Sequence, residues 1–214
     1  DVQLETAGGP EATPTPTLTP TMAQGRTLYV NAGAGSSSGT GTEADPFSSI
    51  QDAIHTAAAG DTVRVAAGIY RENITMKSGV DVIGAGADKT RIIGEASTSG
   101  VVLFRGAVNA RLSGFYISVS RRIPGTDRGV VFSSSNASGG TDHTSVIDHC
   151  VIRNVQYGIS VWTPARILNN TLICDERCEQ GIYIGNDPVD AVIRNNIITG
   201  YSLAGIHVVP GTRR

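Results

Sequence analysis

Two phrases nearly repeat: ARILNNTLI from Ala165 and AVIRNNIIT from Ala191, with their Asn-Asn pairs 26 residues apart. A glycine followed by a short apolar run also recurs, at Gly79, Gly100, Gly129, Gly158, Gly181 and Gly205, at intervals of 21 to 29 residues. Repeats of that period build solenoids, in which each unit buries its apolar face only against its neighbours. The runs (GVVLFR, GISVWT, GIYIGN) are rich in β-branched and aromatic residues and too short for helices. Each unit is therefore a turn made of strands.

Stacked turns of this kind place like positions about 4.8 Å apart, as neighbouring strands are. Aligned on the repeat, Val146, Ile167 and Ile193 fall in one column, and Val151, Leu172 and Ile198 in another. Between them His149, Asn170 and Asn196 form a ladder expected to point inward at a bend, with Phe115 in the same place one turn earlier. An inward amide left unpaired costs about 1–3 kcal/mol, a cost removed when it bonds to the amide of the next turn. That requirement explains why the phrase recurs in register. Beyond each glycine, Ile159, Ile182 and Ile206, then Val161, Ile184 and Val208, are expected in the core. The alternate positions face out: Val102, Val131, Ser160, Tyr183 and His207 in one column, Phe104, Ser133, Trp162, Gly185 and Val209 in the next. With Val102, Phe104, Val131, Trp162 and Tyr183 upon it, this wall is apolar enough to mark an interaction surface.

The 214-residue chain divides into a tail, residues 1–24, and one domain, 25–214, of which 25–61 precede the turns and 62–214 form them. The run EATPTPTLTPT can neither form a helix nor pair in a central strand, and predicts an extended, polyproline-like tail. Val2 and Leu4 alternate with polar residues, a pattern able to add a strand to an exposed sheet edge. Ser48, near Pro46, is the expected N-cap of a helix from Ser48 to Ala58, with Ile50, Ala53, Ile54 and Ala57 on one face and Gly60 ending it. Such a helix caps the first turn.

A net charge of -2 argues against a nucleic-acid binder, which needs a basic stripe to displace counterions. No apolar run approaches the roughly 18–20 residues of a membrane span. The chain opens at Asp1 with neither Met nor an apolar leader, from which a mature secreted or cell-surface product is expected; a cloned fragment would open the same way. In an oxidising compartment Cys174 and Cys178 of CDERC would close a local disulfide. Free thiols are the alternative, and a zinc site lacks its remaining ligands. Asn73, Asn136 and Asn169 fit the N-glycan acceptor pattern.

The pattern I-x-N-N-x-I followed by Gly-Ile-x-Val is similar to the repeat of right-handed parallel β-helix proteins. GDTVRVAAGIYRENITMKSGVDVIGAGADKT resembles the leading coils of the branch related to pectin-degrading enzymes, and GTEADPFSSIQDAI the loop and capping helix before them. The resemblance runs from Thr27 to Val209. It implies an all-β fold: a right-handed parallel β-helix solenoid with an N-terminal capping helix and an extended Pro/Thr-rich N-terminal tail. The same scaffold carries lyases, hydrolases, esterases and non-enzymatic surface proteins, so fold does not dictate activity.

SVIDHCVI resembles a pectate lyase segment in which Asp and His follow the same apolar lead, which would make Asp148 and His149 catalytic. A lyase of that kind holds Ca²⁺ between acidic residues and uronate carboxylates, and uses Arg or Lys to abstract a proton. The column alignment instead makes His149 a ladder member. It leaves Asp148, in the column of Asn169 and Asn195, without a second Asp for Ca²⁺. RRIPGTDR, with Arg121, Arg122 and Arg128, is similar to the basic loop of pectate lyases but precedes the Asp-His pair, the wrong order, and reads as an inserted solvated loop. The Asp pairs and Gly-His-Gly of polygalacturonases, and the Asp, Arg and Gln set of pectinesterases, are not legible. GAGADKT and NAGAGSSSG read as turns, since neither meets the phosphate-binding or dinucleotide-binding pattern. No catalytic constellation, cofactor or metal is expected outside the Ca²⁺ of the lyase alternative.

The last turn ends in HVVPGTRR with no helix or polar cap after it, an open edge that invites pairing. The expectation is a secreted structural subunit that assembles head-to-tail with copies of itself into an extracellular filament, the tail docking through Val2 and Leu4 on a neighbour. The alternative is an extracellular polysaccharide-binding or polysaccharide-degrading, pectate lyase-like protein in which Trp162 and Tyr183 stack sugar rings. A piece of a longer adhesin would present the same edge.

Overall fold

The computed structural model describes residues 25–33, 38–134, 145–185 and 190–209. The Pro/Thr tail with Val2 and Leu4, and Asn136, lie outside these residues. Strand β1 (Thr27–Val30) leads to one short helix, α1 (Ile50–Thr56). Turns of three strands follow: β2 (Thr62–Val65), β3 (Gly68–Tyr70) and β4 (Ile74–Thr75); β5 (Asp81–Gly84), β6 (Thr90–Gly94) and β7 (Val102–Arg105); β8 (Arg111–Ser113), β9 (Tyr116–Val119) and β10 (Arg128–Ser133). The chain continues as β11 (Val146–Asp148), β12 (Val151–Arg153) and β13 (Tyr157–Val161); β14 (Ala165–Leu168), β15 (Thr171–Ile173) and β16 (Gln180–Ile184); β17 (Ala191–Arg194), β18 (Ile197–Thr199) and β19 (Ala204–Val208). First strands, with β1, form a 7-stranded sheet A; second strands form a 6-stranded sheet B, and third strands a 6-stranded sheet C. Every pairing is parallel, between turns, and the fold is a right-handed parallel β-helix.

The core consists of columns. Val63, Val82, Leu112, Ile147, Ile167 and Ile193 stack from sheet A. Tyr70, Ile92, Ile117, Ile152, Leu172 and Ile198 stack from sheet B. Ile74, Val102, Val130, Ile159, Ile182 and Ile206 stack from sheet C. Most are fully buried, each worth about 1.5–3 kcal/mol relative to exposure. Phe104 and Phe132 stack face to face at 4.3 Å between ring centroids in a fourth column.

Two registers differ by one residue from the sequence alignment. Ile147, not Val146, pairs with Ile167, so Cys150 and not His149 occupies the Asn170–Asn196 column, and Ile152 and not Val151 meets Leu172. His149 takes the left-handed bend position (φ 51°) that Asn169 and Asn195 hold at φ 55°. Its side chain is 63% exposed instead of laddered. Asp148 accordingly pairs with Ser113 and Leu168, not with Asn169. In sheet C, Val102 pairs with Val130 and Phe104 with Phe132, so both point into the core, and Leu103 and Arg105 take the outward places. Side chains alternate between faces along a strand, so a slip of one exchanges core for surface.

The ladder itself is a hydrogen-bond relay. Asn170 Nδ2 donates to Asn196 Oδ1 at 3.1 Å and to the Ile147 carbonyl at 3.1 Å, while its Oδ1 accepts from the Cys150 N–H at 3.0 Å. Cys150 continues the column as a buried thiol, which burial pushes up to about 12. The glycine column has a separate cause: a Cβ on Gly129 would stand 2.6 Å from the Gly158 carbonyl, and one on Gly181 2.5 Å from that of Gly205.

Helix α1 covers the amino-terminal turn with Ile50, Ala53 and Ile54. Its N-cap is Ser49, one residue beyond the expected Ser48, because Glu72 reaches across to accept from the Ile50 and Gln51 N–H groups at 2.9 and 3.0 Å. Paired anion and helix N-terminus favour that boundary. Among the described residues no helix is long and apolar enough to cross a membrane.

Candidate functional site

Strand alternation places Leu103, Val131, Ser160, Tyr183 and His207 in one outward column of sheet C, with Arg105, Ser133, Trp162 and Gly185 beside it. They floor a groove that runs across the turns. One part of it, a recess of about 450 Å³, is lined by Leu103, Arg105, Arg128, Val131, Ser133 and Trp162 together with Thr98, Ser99 and Ser134.

Arg128 organises the recess. Its guanidinium lies 4.8 Å from the centroid of Trp162 and 5.4 Å from that of Tyr157. The Tyr157 hydroxyl donates to Glu179 Oε2 at 2.7 Å, and that bond, with burial, holds its proton above the usual phenol range. Stacking leaves the Arg128 Nε without a partner among the described residues, as is the buried Ser160 Oγ. Trp162 lies against Gly185, where a Cβ would come within 2.6 Å of the indole Nε1. An aromatic run continues from Trp162 to Tyr183 at 5.5 Å and on to the edge of His207 at 5.7 Å. His207 Nδ1 and Gln180 Nε2 are 2.7 Å apart. Cationic guanidinium groups and flat aromatic faces on a rigid sheet suit a long polar ligand that carries negative charge.

The expected interaction face is therefore divided. Val131, Trp162 and Tyr183 lie on the outer wall, whereas Val102 and Phe104 are core. Arg105 was not singled out, and Arg128 was read with Arg121 and Arg122 as part of a solvated loop, yet Arg128 already belongs to β10, and Arg122 is docked onto the 174–178 loop. Cys174 and Cys178 are disulfide-bonded there.

Asp148 and His149 lie away from the groove, on the outside of sheet A. Arg111 grips Asp148 in a fork, Nε to Oδ2 at 2.8 Å and Nη2 to Oδ1 at 3.1 Å, and His149 Nδ1 lies 3.2 Å from Asp148 Oδ1. Burial draws the Asp148 carboxyl up, but hydrogen bonds from Arg111, Ser113 and His149 outweigh it and hold the group below its usual range. Neighbouring Asp81 is pushed up by burial and by the Asp148 charge, against the pull of Arg111. Among the described residues no three His, Cys, Asp or Glu side chains gather as a metal cage. Asn73 ties two backbone segments, donating to the Glu95 and Gly100 carbonyls and accepting from the Glu95 N–H, while Asn169 sits at a bend.

Among solved structures, the chain is similar to the A-module of the Azotobacter vinelandii mannuronan C-5 epimerase AlgE4, with a TM-score of 0.56 and 22% identity over 75% of this chain and 47% of that one. The AlgE6 A-module of the same organism follows at a TM-score of 0.52 and 19% identity, over 73% and 52% of the two chains. Pectin methylesterase from carrot gives 0.48 and 14%, over 91% and 65%. The chain spans about half the length of the two epimerase modules. Likeness at these identities speaks to the fold alone. No curated protein sequence matches. The model of one family, described as chondroitinase B, matches residues 46–156, just over half of the chain. With its three parallel sheets and its matching leading turns, this chain belongs to the chondroitinase B family.

Proposed function

We propose that this chain is an extracellular β-helix that binds an acidic polysaccharide along the groove of sheet C. The observation that carries the reading is Arg128 stacked on Trp162 at 4.8 Å, with Arg105 beside it and Tyr183 continuing the aromatic run. Arginine pairs with carboxylate or sulfate groups, and the rings present flat faces to the C–H side of a sugar. Strand spacing of about 4.8 Å sets successive residues of the wall at a pitch near that of successive sugars in an extended chain. The family and the polysaccharide-acting proteins of like fold support the same substrate class. Asp148, held by Arg111 on another face, has no part in it.

Titration calorimetry with alginate, polygalacturonate and dermatan sulfate, against neutral dextran, tests the proposal. Binding to an acidic polymer should weaken about tenfold in Trp162→Ala and in Arg128→Ala, a loss of about 1.4 kcal/mol each. Equal affinity for dextran, or full affinity in both variants, would refute it. Following the ultraviolet absorbance of unsaturated uronic acid in the same mixtures reports whether binding leads to elimination.

One observation favours a second reading, head-to-tail association of copies. In the last described turn, Ile197 and Val208, on strands paired only with the preceding turn, are 63% and 59% exposed, and Leu203 just before β19 is 64% exposed. Such an edge pairs readily with another sheet edge. Sedimentation velocity across a hundredfold concentration range, repeated without residues 1–22, tests it; a single slow species throughout would remove it.

A further inference from the structure

Behind the groove, a chain of polar contacts joins the Cys174–Cys178 loop to Arg128. The disulfide closes a short exposed loop whose carbonyls at Glu176 and Arg177 converge on one guanidinium. Arg122 donates to both, through Nη1 to the Glu176 oxygen and through Nη2 to that of Arg177 at 2.8 Å. Its Nε pairs with Asp127 Oδ2 at 3.2 Å, and the Asp127 side chain is fully buried. Asp127 Oδ2 also accepts from the Gln156 N–H at 3.2 Å, and the Asp127 carbonyl accepts from the Tyr157 N–H at 3.2 Å. Gln156 in turn accepts from the Gly125 N–H and donates to Glu179 Oε1 at 2.5 Å, and Glu179 fixes the Tyr157 hydroxyl. Tyr157 is one of the two rings on which Arg128 rests, and Arg128 directly follows Asp127.

We infer that Arg122 is a positioning residue for the groove: clamped by the disulfide loop, it holds Asp127 and so fixes where Arg128 presents its charge. The physical reason lies in Asp127. A buried carboxylate needs its cation, and here that cation is Arg122, itself oriented from outside by two carbonyls that keep their spacing only while the loop is closed. With the loop opened or Arg122 removed, Asp127 must turn toward water, and the start of β10 moves with it. Arg128 then leaves Trp162. Sequence distance hides the coupling, since Arg122 and Arg177 are 55 residues apart. The inference rests on the groove reading for its consequence in binding, but not for the coupling itself.

Trp162 is the single tryptophan of the chain and reports the Arg128 stack without any ligand. Wild type, the Cys174→Ser/Cys178→Ser double variant, Arg122→Ala, Arg122→Lys and a combination of Arg122→Ala with the double variant would be compared by iodide quenching of Trp162 and by affinity for alginate. Opening the loop should raise the quenching constant about twofold and weaken alginate about fivefold, a coupling of ordinary size between linked sites. Arg122→Ala should match it, and the combination should add nothing further. Arg122→Lys should recover most of the Trp162 signal, since a cation returns to Asp127, and a merely structural role would not give that rescue. Unchanged quenching in the double variant, or additive effects in the combination, would overturn the inference. If no variant, wild type included, binds alginate, the groove reading has failed and the quenching series alone decides the clamp; if all bind alike while quenching changes, the clamp does not position Arg128 for binding and the inference falls.

Discussion

Replacing Asn170 by Ala tests the central claim, that the turns are locked by a relay of buried amides. Asn170 is 1% exposed, and its side chain serves three partners: the Cys150 N–H, the Ile147 carbonyl and Asn196 Oδ1. Alanine leaves the Cys150 N–H orphaned beside a buried residue, a penalty of about 1–3 kcal/mol, and deprives one carbonyl at smaller cost. The small void adds a little more, for a sum of about 4 kcal/mol. In a domain of this size that lowers the melting temperature by about 8–16 °C. Asn196→Ala removes the Nδ2 bonds to the Ile167 and Arg194 carbonyls, at 2.8 and 3.1 Å, and the Oδ1 that accepts from the Asn170 N–H and Nδ2, but from a half-buried side chain in the last described turn, where water replaces part of what is lost. About 1–2 kcal/mol is expected there. Urea unfolding followed by circular dichroism measures both. Equal costs, or a smaller cost at Asn170, would refute the relay as a buried structural element.

Three further outcomes follow from named contacts. Gly158→Ala sets a methyl 2.7 Å from Leu172 Cδ2 and against the Gly181 carbonyl, and should cost about 3 kcal/mol in the same urea assay. Gly185→Ala should dislodge Trp162, shifting its emission to the red and lowering acidic-polymer affinity about tenfold while leaving the urea midpoint nearly in place. Acid should destabilise the fold through Asp61 and Asp148, whose carboxyls are both held below their ordinary range. For Asp61 the Ala58 N–H is the main cause, aided by Arg26 against burial; for Asp148, Arg111, Ser113 and His149 together overcome a larger opposing effect of burial. A depressed folded value means stability present above the unfolded carboxyl range, near pH 4, and lost as pH falls through the folded values. Asp148→Asn should flatten that acid limb, and an unchanged limb in the variant would show that Asp148 contributes none of it.

Much of the architecture lay in local pattern. The 26-residue echo of Asn-Asn, the glycines at Gly129, Gly158 and Gly181 and the capping helix follow from requirements that act residue by residue: an inward amide must find a partner, and a close backbone approach excludes a Cβ. The disulfide loop and the aromatic positions Trp162 and Tyr183 were legible for the same reason. Register was not. Gly100 looks like the other column glycines, but Val101 stands at that level, because Val102 pairs with Val130. His149 looks like a ladder residue, yet it holds the left-handed bend, a place that Asn tolerates better than most and that Asn169 and Asn195 mark in the following turns. Which strand residue meets which is decided by hydrogen bonds between turns whose loops differ in length, and no single turn contains that information. The groove depends on it further still. Arg128, the pair Tyr157 and Trp162, and Glu179 come from three successive turns, and only stacking brings a guanidinium, two rings and a carboxylate onto one wall.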